Sequence, residues 1–174
     1  MNEKPKYNPQ KHHRRSIRLK GYDYSQEGLY FITICCESRE YRFGKIENGD
    51  MILNDAGKNA DECWLEIPKH FPNAILHEYI VMPNHVHGII ELSGVENFQP
   101  RQNEFQKLIP RSIGSIVKGF KIGVTKWFRN NLVIEKIWQR NYYEHIIRNV
   151  ESYQRISEYI IHNPAKWKED KFCK

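Results

Sequence analysis

No Cys-x-x-Cys pair occurs among the four cysteines Cys35, Cys36, Cys63 and Cys173, which argues against a structural zinc site of thiolates. Adjacent Cys35 and Cys36 face opposite sides of an extended strand and make a poor disulfide pair. Free thiols fit a reducing, cytoplasmic compartment. The first twenty residues contain no apolar stretch to serve as a signal peptide, and the longest apolar run, Leu29 to Cys36, is far too short to span a membrane. Neither membrane insertion nor secretion is therefore expected. Acidic residues are missing between Glu104 and Glu135, whereas Lys107, Arg111, Lys118, Lys121, Lys126 and Arg129 all fall in that interval. A helix with only positive charge on its wet side repels itself unless an anion lies alongside, so a nucleic-acid backbone is the expected neighbour, with Lys118 and Lys121 as contacts. No internal repeat is visible.

What is present points the same way. The 174 residues suit one domain with one sizeable core. Lys and Arg number 27 against 21 Asp and Glu, giving a net charge of +6 and a tilt toward a polyanionic partner. Residues 1–20 hold seven of those cations and a single acid, Glu3, and read as a basic arm, with Arg14, Arg15 and Arg18 placed to lie on phosphates. Residues 21–174 read as the domain.

Leu29 to Cys36 is β-branched and aromatic and reads as a buried strand. Asn48-Gly49 marks a small hairpin. Asn54 can cap a helix that Pro68 stops. Ala74 to Met82 reads as a strand that Pro83-Asn84 turns back into a second one. Ser93 to Pro110 reads as a loop. A helix with the stripe Ile113, Ile116, Val117, Phe120, Val124, Trp127 and Phe128 follows, then a short edge strand over Ile134 to Trp138. The last helix carries Ile146, Val150, Tyr153, Ile156 and Ile160 on its stripe and ends at Asn163-Pro164. This order suits an α+β ferredoxin-like sandwich: an antiparallel sheet with helices on one face, plus a C-terminal helix.

The chemistry gathers on the second strand of the hairpin. His85 and His87 are two residues apart and face the same side, with Cα atoms about 6.7 Å apart, while Val86, Gly88, Ile90 and Leu92 face a core. Two imidazoles at that spacing can grip one metal ion. A third ligand and a reacting group must come from elsewhere. On the last helix Tyr159 and Asn163 lie one turn apart at the edge of the stripe. Tyr142 and Tyr143, near His145 and Arg148, are rival nucleophiles, or rings that pack or stack on unpaired bases; Arg148 is a further candidate for a phosphate contact.

Three blocks in order, Met82-Pro83-Asn84-His85-Val86-His87-Gly88, Trp138-Gln139 with Tyr142-Tyr143-Glu144-His145-Ile146-Ile147-Arg148-Asn149, and Tyr159-Ile160-Ile161-His162-Asn163-Pro164, resemble the REP-associated tyrosine transposases. These are single-tyrosine relatives of the transposases named for a histidine–hydrophobic–histidine motif. The resemblance implies a ferredoxin-like catalytic domain that cuts and rejoins single-stranded DNA beside a hairpin, as monomer or homodimer, through a 5′-phosphotyrosine. It assigns His85, His87 and Asn163 to a divalent metal ion, Mg2+ or Mn2+, and the nucleophile to Tyr159. Imidazole ligands suit manganese better than magnesium.

Two other readings remain. A metal-dependent hydrolase of the His-x-His-x-Asp-His kind lacks its acid here, since Gly88, Ile89 and Ile90 follow His87. A domesticated, non-catalytic protein of the same fold would hold a DNA or RNA hairpin without cutting it.

Overall fold

The computed structural model describes residues 22–94, 111–134 and 136–173. The arm with Arg14, Arg15 and Arg18, and most of the loop expected over Ser93 to Pro110, lie outside the described residues. In chain order the elements are β1 (Gly28–Cys35), β2 (Gly44–Glu47), β3 (Asp50–Leu53), α1 (Asp55–Leu65), α2 (Ile67–His70), β4 (Ala74–Met82), β5 (His85–Leu92), α3 (Ile113–Leu132), β6 (Tyr143–Ile147) and α4 (Val150–Ile161). Four strands form an antiparallel sheet in the order β4-β5-β1-β6, and β2 and β3 form a separate hairpin. With α1 and α3 as the two crossovers, this is the ferredoxin-like arrangement.

Strand alternation decides what each face of the sheet does. Along β1 and β5, Tyr30, Ile32, Ile34, Val86, Ile90 and Leu92 turn to one face and pack with Trp64 of α1 and with Ile116, Phe120 and Val124 of α3. The alternate residues Phe31 and Ile89, with Ile147 of β6, turn to the other face and meet Ile156 and Ile160 of α4. Burying each of these isoleucines is worth about 2 kcal/mol, which seats α4 on the sheet. Thus α1 and α3 share one face, and the helix bearing Tyr159 has the other.

Three elements depart from the expectation. The edge strand is Tyr143–Ile147, which pairs with β1, and not Ile134 to Trp138, where Trp138 forms an isolated bridge to Cys36. Trp138 is instead an anchor: its ring packs on Phe43 and Phe120 and its Nε1 donates to the Lys121 carbonyl at 3.3 Å. The last helix accordingly starts at Val150, with the Asn149 side chain accepting from Ser152 N at 2.8 Å, and Ile146 lies on the strand. Pro68 also does not simply stop α1; α1 ends at Leu65 and Pro68 sits in the first turn of α2, where its missing N–H is harmless. Asn54 caps α1 as expected, accepting from Gly57 N at 2.9 Å.

Candidate active site

β5 begins directly after a two-residue turn, and the turn is held on every side. The Asn84 carbonyl accepts from Cys36 N, and the Pro83 carbonyl accepts from Arg42 N and Phe43 N. The Asn84 amide nitrogen donates to the carbonyls of Arg39 and Phe172, at 3.1 and 2.9 Å. Its oxygen therefore faces His85 Nδ1, 2.8 Å away, and that contact requires the proton on Nδ1. The lone pair of His85 is left on Nε2, which is buried with no hydrogen-bond partner among the described residues. His87 lies beside it, with ring centroids 4.3 Å apart, and its Nδ1 is 2.9 Å from Thr33 Oγ1.

α4 brings the phenol and the amide. Its placement rests on Ile156 and Ile160 and on a polar clamp at the bulge in β4, where Glu78 accepts from Tyr153 Oη at 2.8 Å and Ser157 Oγ at 3.1 Å. Tyr159 Oη then lies 3.2 Å from His87 Nε2 and donates to Asp170 Oδ2 at 2.9 Å. Just past the helix, Asn163 Nδ2 donates to the same Asp170 oxygen at 2.9 Å. This orients the amide and leaves Asn163 Oδ1 buried with no hydrogen-bond partner among the described residues. Asp170 is held in turn by Phe172 N, which donates to its other oxygen. The C-terminal residues also cover the histidines: the Phe172 and Trp167 rings lie 4.5 and 5.9 Å from that of His85.

Burial sets the charge state. Desolvation pulls His85 down to about 3, and it pulls His87 well below the ordinary histidine value. Both rings are neutral lone-pair donors at neutral pH. Burial first, and the Asp170 carboxylate second, push the Tyr159 phenol upward, so the unaided hydroxyl stays protonated. These values predict an acid sensitivity of the fold in the presence of a chelator. A histidine depressed in the folded state contributes stability above its unfolded value of about 6.5, and loses it as pH falls through and below that value. Between pH 7 and pH 5, His85 alone should cost about 2 kcal/mol, and His85→Gln should flatten the decline measured by urea denaturation.

The donor set fits a divalent cation. His85 Nε2 and Asn163 Oδ1 are buried, unpaired and ready to accept, His87 Nε2 lies beside them, and manganese-type ions take such mixed nitrogen and oxygen ligands. Among the described residues no three His, Cys, Asp or Glu side chains group as a metal site, so the third ligand would be the amide.

The structure thus brings His85, His87, Tyr159 and Asn163 into one contact network. The basic candidates lie elsewhere. Lys118 is exposed on α3, on the other side of the sheet from α4. Lys121 turns inward: its Nζ donates to the carbonyls of Gln139 and Asn141 at 2.8 and 3.1 Å, and burial pulls its ammonium down to about 8. It braces the segment leading to β6, a geometry that does not serve the expected contact with a nucleic-acid backbone. Arg148 is exposed between β6 and α4. Sequence reasoning missed Asn84, which it took as a turn residue only, and Asp170, which follows Asn163 outside any helical repeat. An amide next to a candidate ligand histidine was the available signal for Asn84; nothing in the spacing marks Asp170.

No protein-family model matches the chain. An uncharacterized protein of Haemophilus influenzae is 52% identical over 172 residues, 95% of this chain and 96% of that protein. The REP-associated tyrosine transposase of Escherichia coli is 28% identical over 144 residues, 82% of this chain and 70% of that protein. The solved structure of a REP-associated tyrosine transposase bound to a REP hairpin matches with a TM-score of 0.58 at 20% identity, over 89% of this chain and 77% of that one, and so shares the fold. No helix among the described residues is long and apolar enough to cross a membrane. By sequence this chain is a distant relative of proteins named REP-associated tyrosine transposases, and it shares the fold of the solved one.

Proposed function

We propose that the protein is a metal-dependent transposase-type endonuclease that cleaves and rejoins single-stranded DNA beside a hairpin through a 5′-phosphotyrosine. The observation that supports this most directly is the 3.2 Å approach of Tyr159 Oη to His87 Nε2, next to buried, unpaired His85 Nε2 and Asn163 Oδ1. His85, His87 and Asn163 would hold a divalent cation, which would supply neutralisation of the phosphate charge and polarisation of the phosphorus–oxygen bond. Tyr159 Oη attacks the scissile phosphorus, the bond to the 3′ oxygen breaks, and that oxygen takes a proton from solvent to leave as a hydroxyl. The phenol proton has a ready acceptor in Asp170 Oδ2, which already takes its hydrogen bond. The phosphodiester bond is exchanged for a phosphotyrosine, so rejoining needs no external energy source. With one such tyrosine per chain, strand transfer reverses the first step or uses a second subunit.

A second reading has one observation in its favour. His85 and His87 are 0% and 1% exposed beneath Phe172 and Trp167, an enclosure that also suits a hairpin-binding protein that does not cut. The two readings separate on one experiment. The full chain is incubated with Mn2+ and labelled hairpin oligonucleotides carrying unpaired flanks. A covalent protein–DNA adduct mapped to Tyr159 is the expected outcome; hairpin binding with no adduct in either Mn2+ or Mg2+ would assign the second reading.

A further inference from the structure

β6 is an edge strand, paired with β1 on one side. Its register sets Tyr143 in the row of Thr33 and His87, and His145 in the row of Phe31 and Ile89. Both side chains therefore belong to the face that carries α4, at its open border, while Glu144 turns to the opposite, core face. The Tyr143 ring is 48% exposed. It lies 6.4 Å from the Phe31 ring, which is 6.3 Å from the ring of Tyr159. Next to this border a concavity of about 320 Å³ is lined by His145, Arg148 and Arg155, with Glu151 as its one acid. Arg155 also lines the cleft of about 680 Å³ that holds Tyr159 and Asn163, so the two hollows share a wall. Neither arginine enters an ion pair among the described residues, although Glu151 and Glu158 lie within one turn of Arg155.

An exposed ring on the same face of the strand as His145, which itself lines a hollow with two uncommitted guanidinium groups, is chemistry for unpaired nucleotides. Any base can stack on the ring, and the guanidinium forks match phosphate oxygens. A duplex keeps its bases inside the stack and gives Tyr143 nothing to cover. We propose that Tyr143, His145, Arg148 and Arg155 form a track for the single strand flanking the phosphate that Tyr159 attacks, an inference that rests on the strand-cutting reading of the site. Tyr143 stacks on a base, Arg148 and His145 hold the backbone beyond it, and Arg155 carries the strand over into the Tyr159 cleft. The exposed cations of α3 lie on the other side of the sheet and serve a separate surface.

The test uses the full chain with chelator and no cleavage step, by fluorescence anisotropy on a randomised single-stranded DNA pool of about twelve nucleotides and on a blunt duplex of equal length. Arg148→Ala/Arg155→Ala should weaken single-strand binding at least about tenfold and reduce the slope of log affinity against log salt by about 1.4, two phosphates' worth. Duplex binding should change less than about twofold. Tyr143→Ala should weaken the single strand about tenfold, while Tyr143→Phe, which keeps the ring, should bind like the parent. Equal losses on duplex and single strand, unchanged single-strand affinity, or a Tyr143→Phe loss matching that of Tyr143→Ala would each overturn the track. An adduct at Tyr159 together with unchanged binding by these variants would overturn the track alone. Binding that responds as expected, with no adduct in Mn2+, would instead overturn the cutting function.

Discussion

Tyr159→Phe should abolish the covalent adduct, lowering its rate of formation by at least about ten-thousandfold, and leave hairpin affinity within about twofold of the parent. The phenyl ring keeps its place, because its edge contacts to Phe31 and His87 do not involve the hydroxyl. What is lost is the oxygen of the proposed nucleophile and two polar contacts, to His87 Nε2 and Asp170 Oδ2. Asp170 still receives Asn163 Nδ2 and Phe172 N, so the amide keeps its orientation. The cost to the fold should be no more than about 1 kcal/mol. Retention of labelled DNA by the denatured protein reads the first effect and anisotropy reads the second. An adduct that survives Tyr159→Phe and disappears in Tyr143→Phe would move the nucleophile to the sheet edge. Tyr142 is the weaker rival, since its ring packs toward the core shared by α1 and α3, on the far face from the histidines.

The histidine pair was legible because β5 alternates so cleanly. His85, His87 and Ile89 fall on one face and Val86, Ile90 and Leu92 on the other, and no helical reading fits that pattern. The meeting of this strand with the last helix followed from the order of the elements and from the family blocks. β6 was not legible as a strand. Ile146 stands four residues before Val150, so it extended the helical stripe backwards, and five residues are too few for a period of two to compete. The cap at Asn149 held the information that the helix begins there. Lys121 misled for a different reason: a run of like charge shows that a helix is basic but not which cation turns inward to carbonyls that lie 18 and 20 residues further on. Asp170 was invisible because its role is created by chain reversal after α4, and folding rather than spacing brings it beneath Tyr159.

Gly88→Ala should lower the unfolding free energy by about 3 kcal/mol, and the loss should reach the site. A Cβ at this position would lie 2.2 Å from Trp64 Cζ2 and 2.8 Å from Cη2. The indole has little room to retreat: it is 1% exposed, stacked on Tyr79 at 5.7 Å and met edge-on by Phe120 at 5.4 Å. The strand must therefore give, and the residue that moves with Gly88 is His87. Adduct formation should fall alongside stability, even at temperatures where the chain stays folded. Trp64→Phe removes the far atoms of the indole, and with them an N–H that has no hydrogen-bond partner among the described residues. Gly88→Ala/Trp64→Phe should then recover about 2 kcal/mol relative to the sum of the single changes, measured as a double-mutant cycle by urea denaturation. Strict additivity would mean that β5 does not need this glycine to lie against α1. A coupled result would mean that the spacing which admits the indole on one face of the strand also sets the position of His87 on the other.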